Sequence, residues 1–333
     1  MKVGVIGLGY WGPNLLRNFL STDGVDKVSA ADLNAQRLKV AAKKLPAANY
    51  TSHYAELLKS PEIDAVAIAT PVSTHFKLAK EALENGKHVL LEKPMTASVA
   101  EAEDLISLAD RKQLTLMVDH TFIYTGAVRK IQNLISSGEL GDVHYFDSVR
   151  VNLGLFQHDV NVIWDLATHD LAIMDYLVAA RPVSVAAFGV AHYNHVEDVA
   201  YVIVNFNNGT IAHFHVNWIA PVKIRQILIG GSKKMVVYDD LEPSEKVKIY
   251  DKGVNIKSKE GIYEALIQYR TGDMYSPKLD GTEALSQLTS HFVECIRDSK
   301  TPITDGKSGL NVVRILEAAQ QSITHNGELI TID

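Results

Sequence analysis

In the amino-terminal part of the chain, short unbroken apolar runs alternate with stretches whose apolar positions recur at helical spacing. Val3-Gly4-Val5-Ile6 is the first run, and a helical pattern through Leu15, Leu16, Phe19 and Leu20 follows it. Residues 28–31 form a second run ending at Asp32, and Ala65-Val66-Ala67-Ile68-Ala69 a buried strand ending at Thr70-Pro71. A helix through Leu78 and Leu83 then stops at Gly86, before the strands predicted at 88–91 and 114–118. Continuous apolar strands separated by amphipathic helices predict a parallel sheet covered on both faces.

Beyond about residue 122 the rhythm changes. Residues 143–152 alternate, with Val143, Tyr145, Asp147, Val149 and Val151 sharing a face. Residues 183–192 and 199–206 are strand-like, and Asn207-Asn208-Gly209 supplies a hairpin turn into 210–218. Further strands are predicted at 223–230, 235–238 and 246–250, and helices at 285–297 and 310–323. The fold class is therefore α/β: a Rossmann domain over 1–121, then an α+β domain over 122–333 with a large, open, mostly antiparallel sheet. Helices near 121–136 and 164–178 would cover one sheet face. The other, carrying Val202, Val204, Phe206, Phe214 or their neighbours, predicts a homo-oligomer built sheet to sheet.

Composition narrows the function. The 333 residues are 47% hydrophobic and 22% charged, as in soluble globular proteins, and suffice for two domains. A net charge of -6 offers nucleic acid no basic footprint, and no apolar run is long enough to span a bilayer. A strand beginning at Lys2 predicts no signal peptide. The single cysteine, Cys295, excludes an intrachain disulfide and fits a reducing, cytoplasmic setting.

Gly7-Leu8-Gly9-Tyr10-Trp11-Gly12 follows a strand and opens a helix, the context in which Gly-x-Gly-x-x-Gly signals a dinucleotide site. Gly7 permits the turn, Gly9 the approach of pyrophosphate, and Gly12 close helix–strand packing. Asp32 lies twenty positions after Gly12, where a carboxylate receives the adenine-ribose hydroxyls and repels a 2′-phosphate. That favours NAD over NADP, although the nearby Arg37 could stack on adenine or attract the phosphate. Leu33 flanks this position. Thr70, Pro71 and His75 are expected on the nicotinamide side, though Thr70 equally suits a helix cap.

Lys93, in Glu92-Lys93-Pro94, ends an apolar strand downstream of the nucleotide loop. Ligands of open α/β sheets bind outside the carboxyl ends of the strands, so this cation is expected beside the reactive end of the cofactor. There it can stabilise a substrate hydroxyl as the proton leaves. In the segment 164–170, which begins at Trp164, Asp165 and His169 are four apart and share a helix face. Histidine is a suitable base for alcohol oxidation, and Asp165 could orient it. A helix-capping Asp165 and a buried, satisfied His169 fit the spacing as well. His192 with His195 and His213 with His215 invite a metal, but lack further ligands at a usual zinc spacing, so no metal is expected.

Together, the glycine loop, Glu92-Lys93-Pro94 and Asp165-x-x-x-His169 resemble the glucose–fructose oxidoreductase/inositol dehydrogenase (Gfo/Idh/MocA) family over nearly the whole chain. The resemblance implies catalysis by Lys93 and His169 assisted by Asp165, with Glu92, Trp164 and a late tyrosine, for which Tyr275 is the candidate, near the cofactor. It implies dimers or tetramers through the open sheet. The stretches at 11–15, 120–124 and 151–154 are most similar to members acting on nucleotide-linked sugars for surface polysaccharide or lipid A. The expected reaction is oxidation of the 3-hydroxyl of a sugar such as UDP-N-acetylglucosamine. His120, Tyr124, Arg150, Asn152 and His158 are candidate substrate contacts, though core or surface roles suit each equally. Alternatives are an inositol or simple-sugar dehydrogenase, an NAD-dependent glycosidase of the same fold, and an NAD-responsive binding protein with no chemistry.

Overall fold

A computed structural model describes residues 1–154, 160–193, 195–256 and 267–332. The chain divides into two compact units, Met1–Thr125 with Thr282–Glu317, and Gly126–Gly281 with the residues from Ala318 onward.

The first unit contains β1 (Lys2–Ile6), α1 (Gly12–Leu20), β2 (Lys27–Ala31), α2 (Ala35–Lys44), β3 (Asn49–Thr51), α3 (Tyr54–Lys59), β4 (Ala65–Ile68), α4 (His75–Glu84), β5 (His88–Glu92), α5 (Val99–Lys112) and β6 (Leu116–Asp119). The strands pair in parallel in the order β3-β2-β1-β4-β5-β6, the dinucleotide-binding arrangement. Every residue of β4 is buried, as its unbroken apolar run requires of a strand covered on both faces. The contiguous division expected at 121/122 is corrected here, because residues 282–317 return to this unit. Their apolar side chains have a core to fill: Phe292 packs edge-on against Phe19 at 6.3 Å, and both are fully buried. Burying each ring is worth roughly 1.5–3 kcal/mol.

The second unit holds α6 (Gly126–Ser136), β7 (Val143–Leu153), α7 (Thr168–Leu177), β8 (Pro182–Val190), β9 (Val199–Phe206), β10 (Ile211–Asn217), β11 (Ile219–Gly231), β12 (Met235–Asp239), β13 (Val247–Ile256) and β14 (Ile267–Tyr275). Helices α8 (Ala284–Asp298) and α9 (Gly306–Thr324) and strand β15 (Ile330–Thr331) complete the chain. The sheet order is β14-β13-β12-β11-β7-β10-β9-β8-β15, and only the β10–β7 pairing is parallel.

This sheet has one sealed face and one open face. On β7 the sealed residues are Phe146, Ser148 and Arg150, while Val143, Tyr145, Asp147 and Val149 are half-buried on the other side. Val202, Val204 and Phe214 lie on the sealed face, so it is their neighbours that stand exposed. Phe188 pairs with Tyr201, Ile203 with His213 and Leu228 with Asp147, which puts these side chains on the open face.

Candidate active site

Each half of the expected site is built within its own unit. In the first, the α1 amino terminus has no side-chain cap and no acidic residue in its first turn, leaving its amides to a phosphate. Gly7 adopts φ +94°, and a Cβ there would meet the Ala69 carbonyl at 2.6 Å. A Cβ on Gly12 would lie 1.9 Å from the Gly7 carbonyl oxygen, whereas one on Gly9 would meet nothing within 4 Å. The loop therefore needs Gly7 and Gly12 for its own closure and leaves open space at Gly9. Asp32 ties the loop down: its carboxylate accepts from the Leu8 amide at 2.6 Å and the Asn34 amide at 2.7 Å. Arg37 approaches that carboxylate to 3.7 Å. Tyr10 and Leu33 are exposed and Trp11 partly so, offering apolar faces on either side of the loop. These features fit a bound dinucleotide.

At the next strand end, Thr70 accepts from the Thr74 hydroxyl at 2.7 Å, and Pro71 is exposed. His75, expected at the nicotinamide, is buried, with Nδ1 2.9 Å from the Pro94 carbonyl and Nε2 2.9 Å from that of Thr70. It thus links the turn after β4 to the loop after β5. Burial pushes its pKa down even though both carbonyls favour the protonated ring.

Lys93 follows β5 directly, and the Lys93–Pro94 peptide is cis. Its predecessor Glu92 pairs in register with Asp119 at the end of β6, and both side chains are buried. Burial raises Glu92 well above the ordinary carboxylate range, aided by the negative charge of Asp119. Asp119 is pushed up to about 6, again by burial, against hydrogen bonds from Thr121. Lys93 favours the ionised form of both. His120 is 2% exposed, with neither ring nitrogen hydrogen-bonded among the described residues. Burial, then Lys93, takes its pKa down to about 3, so it stays neutral. Tyr124, expected at the substrate, is fully buried, and its hydroxyl lies 3.3 Å from that of Thr304, a core position.

In the second unit, Ile163–Ala167 is a π-helical turn leading into α7, replacing the uniform α-helix expected there. Such turns recur at functional sites. Asn161 fixes its start by accepting from the Ile163 and Trp164 amides at 3.1 and 3.2 Å. Trp164, Asp165 and His169 are half-buried. Asp165 accepts from Trp218 Nε1 at 3.1 Å, a partner that sequence spacing does not reveal.

The expectation of a substrate contact at Arg150 needs revision. Arg150 is buried and donates from Nε and one terminal nitrogen to Asp170 at 2.9 and 2.6 Å, which commits it to holding α7 on β7. Asn152 is half-buried near the end of β7, and His158 lies outside the described residues. Tyr275, expected near the cofactor, donates to Glu139 at 2.7 Å from β14. Among the described residues, no group of three or more metal-ligating side chains is placed to hold an ion, and no helix is long and apolar enough to cross a membrane.

The sheet order and the glycine loop define a dinucleotide-dependent enzyme of the oxidoreductase class. A family profile described as "Oxidoreductase family, NAD-binding Rossmann fold" matches residues 1–120, and one described as "GFO/IDH/MocA C-terminal domain" matches residues 128–237. The chain belongs to the GFO/IDH/MocA family and is an NAD-binding oxidoreductase. It is 31% identical to the UDP-N-acetylglucosamine 3-dehydrogenase of Acidithiobacillus ferrooxidans, over 96% of each chain. It is 27% identical to the NAD(+)-dependent scyllo-inositol 2-dehydrogenase of Bacillus subtilis, over 94% of this chain and 91% of that one. A solved structure of the A. ferrooxidans enzyme superimposes with a TM-score of 0.81 at 27% identity, covering 97% of each chain.

Proposed function

We propose that this protein oxidises a secondary hydroxyl of a nucleotide-linked sugar to a ketone, with UDP-N-acetylglucosamine and its 3-hydroxyl as the leading candidate. The observation that carries this reading is the 31% identity, over nearly full length, to an enzyme named for that reaction. The bound cofactor supplies the acceptor for the hydride that leaves carbon. The chain's residues handle the proton and the charge. Lys93 presents a cation to the substrate oxygen, stabilising negative charge as it develops. His169 takes the hydroxyl proton, and Asp165, anchored by Trp218, orients it. His120 is the best supported of the substrate-contact candidates, because a buried imidazole whose two nitrogens have no hydrogen bond among the described residues gains from any polar ligand. Asp32 beside the loop favours NAD over NADP, and its proximity to Arg37 leaves that cation partly neutralised. A second copy of the chain would cover the open sheet face, where Phe188, Val190, Tyr201, Ile203, Ile211 and Met274 are exposed. The ketone product would be suited to later amination in surface polysaccharide or lipid A synthesis.

The test is incubation with NAD and a panel of UDP-sugars, inositols and free hexoses, following NADH and product mass. The expected outcome is NADH with loss of two mass units from UDP-N-acetylglucosamine. Turnover of inositol alone would transfer the assignment to the second relative's reaction, and sugar release without net NADH would point to a glycosidase. Lys93→Met and His169→Ala should each lower kcat by about 100-fold or more with the fold retained. Full activity in both would overturn the site.

A further inference from the structure

One end of the second unit's sheet carries two side chains with no part in the assignments above. Strands β7 and β10 run parallel, so Leu153 and Asn217 finish at the same end. Strand β9 is antiparallel to β10 and β8 to β9, so the residues linking β8 to β9 lie there too. Hydrogen bonds fasten that link to the π-helical turn. The Val162 amide donates to the Glu197 carbonyl at 3.0 Å, and Asn161 Nδ2 to the Glu197 carboxylate at 2.7 Å. Trp218, whose indole reaches Asp165, donates its own amide to the Asp198 carbonyl at 2.9 Å.

Asp198 in turn organises two neighbours. Its carboxylate is fully buried and accepts from the His192 amide at 2.8 Å, the Tyr193 amide at 3.2 Å and His192 Nδ1 at 2.7 Å. Burial would raise this carboxyl, but the bonds from the imidazole and both amides hold it below the usual range. A carboxylate only accepts, so Nδ1 carries the hydrogen, and in the neutral ring Nε2 is the acceptor. The His192 side chain is 48% exposed and Tyr193 72%, with their rings 6.4 Å apart. A lone exposed tyrosine is ordinary. Here, however, a sealed carboxylate holds its backbone and the adjacent imidazole in fixed relation to the turn that carries Asp165.

We propose that Tyr193 and His192 bind the nucleoside half of the substrate, Tyr193 as a stacking platform for the base and His192 Nε2 as acceptor from a ribose hydroxyl. The inference deepens the nucleotide-sugar reading and rests on it. In such a substrate the reacting hydroxyl and the nucleoside occupy opposite ends of the molecule. A site for the nucleoside must therefore stand apart from Asp165 and His169 yet keep a fixed distance from them. Tyr193 and His192 meet both conditions, joined to Asp165 through Asp198 and Trp218. Affinity gained there is equal in the ground and transition states, so it lowers KM and leaves kcat alone.

The experiment measures UDP binding to the NAD-loaded enzyme by calorimetry, and KM and kcat for UDP-N-acetylglucosamine. It compares the wild type with Tyr193→Ala, Tyr193→Phe and His192→Ala. Tyr193→Ala should weaken UDP about tenfold and raise KM to match, whereas Tyr193→Phe should keep wild-type values. His192→Ala should weaken UDP about fivefold. In the tyrosine variants kcat should stay within about twofold, and Tm should not move because the ring is exposed. Wild-type UDP affinity in Tyr193→Ala, or a loss of kcat with KM unchanged, would overturn the stacking platform. Wild-type affinity in His192→Ala would overturn the ribose contact. A wild type that binds no UDP and forms NADH only from inositols or free hexoses would instead overturn the nucleotide-sugar reading, and this site with it.

Discussion

Arg150 with Asp170 in the second unit, and Glu92 with Asp119 in the first, are both sealed pairs of ionisable side chains at the side of a sheet. In the first of these, opposite charges meet fork to fork, and Ser148 adds a third bond to Asp170 at 2.7 Å. In the other, like groups meet on neighbouring strands, and burial raises both above the ordinary carboxylate range. A pair of opposite charges needs no proton to close it and serves as a fastener. A pair of like groups is pushed by burial towards its protonated form and can respond to its surroundings.

Breaking the oppositely charged pair should give the largest effect. Arg150→Met leaves Asp170 buried without its main partner and should cost about 3–5 kcal/mol, measured by chemical denaturation. Replacing both partners by apolar residues of similar volume should restore most of that loss. If single and double variants are equally destabilised, volume and not charge is what the site requires, and the contrast with Glu92–Asp119 fails.

This contrast also explains what the sequence disclosed. The strands β1, β2, β4, β5 and β6 were legible because sheets covered on both faces write themselves as apolar runs. On β7 the alternation showed that Val143, Tyr145 and Val149 share a face but not which face is inside, and the sealed face carries Ser148 and Arg150. Polar residues can occupy it only because Asp170 satisfies them, and that partner is distant in sequence. Helix α2 buries Ala41 alone and β3 is a three-residue edge strand, so neither leaves a strong pattern. Glu92, Lys93 and His169 were readable as motif residues. Asp119 was not, since a lone acidic residue after an apolar run gains meaning only from the strand register that sets it against Glu92.

The glycine loop offers an intermediate effect that separates folding from binding. Gly12→Ala puts a methyl group 1.9 Å from the Gly7 carbonyl, so the loop must move. It should cost about 1–3 kcal/mol of stability as well as NAD affinity. Gly9→Ala meets nothing within 4 Å and should leave stability within about 0.5 kcal/mol. Its NAD dissociation constant should still rise by about tenfold or more, because the added methyl occupies the space left for pyrophosphate. Unchanged NAD binding in Gly9→Ala, read by fluorescence titration, would place the cofactor elsewhere.

The smallest stability effect is expected at Asp165, where the two kinds of pair can be told apart most finely. Asp165→Asn keeps the side-chain volume and an oxygen able to accept from Trp218 Nε1, so the π-helical turn should hold and stability change by less than about 1 kcal/mol. What the substitution removes is charge. If Asp165 orients and supports His169 during proton removal, kcat should fall by about 10- to 100-fold while KM stays within about threefold. A side chain whose task is only to anchor the indole would leave kcat untouched. Asp165 would then belong with Arg150 and Asp170 among the fasteners, and the proton chemistry of the second unit would rest on His169 alone.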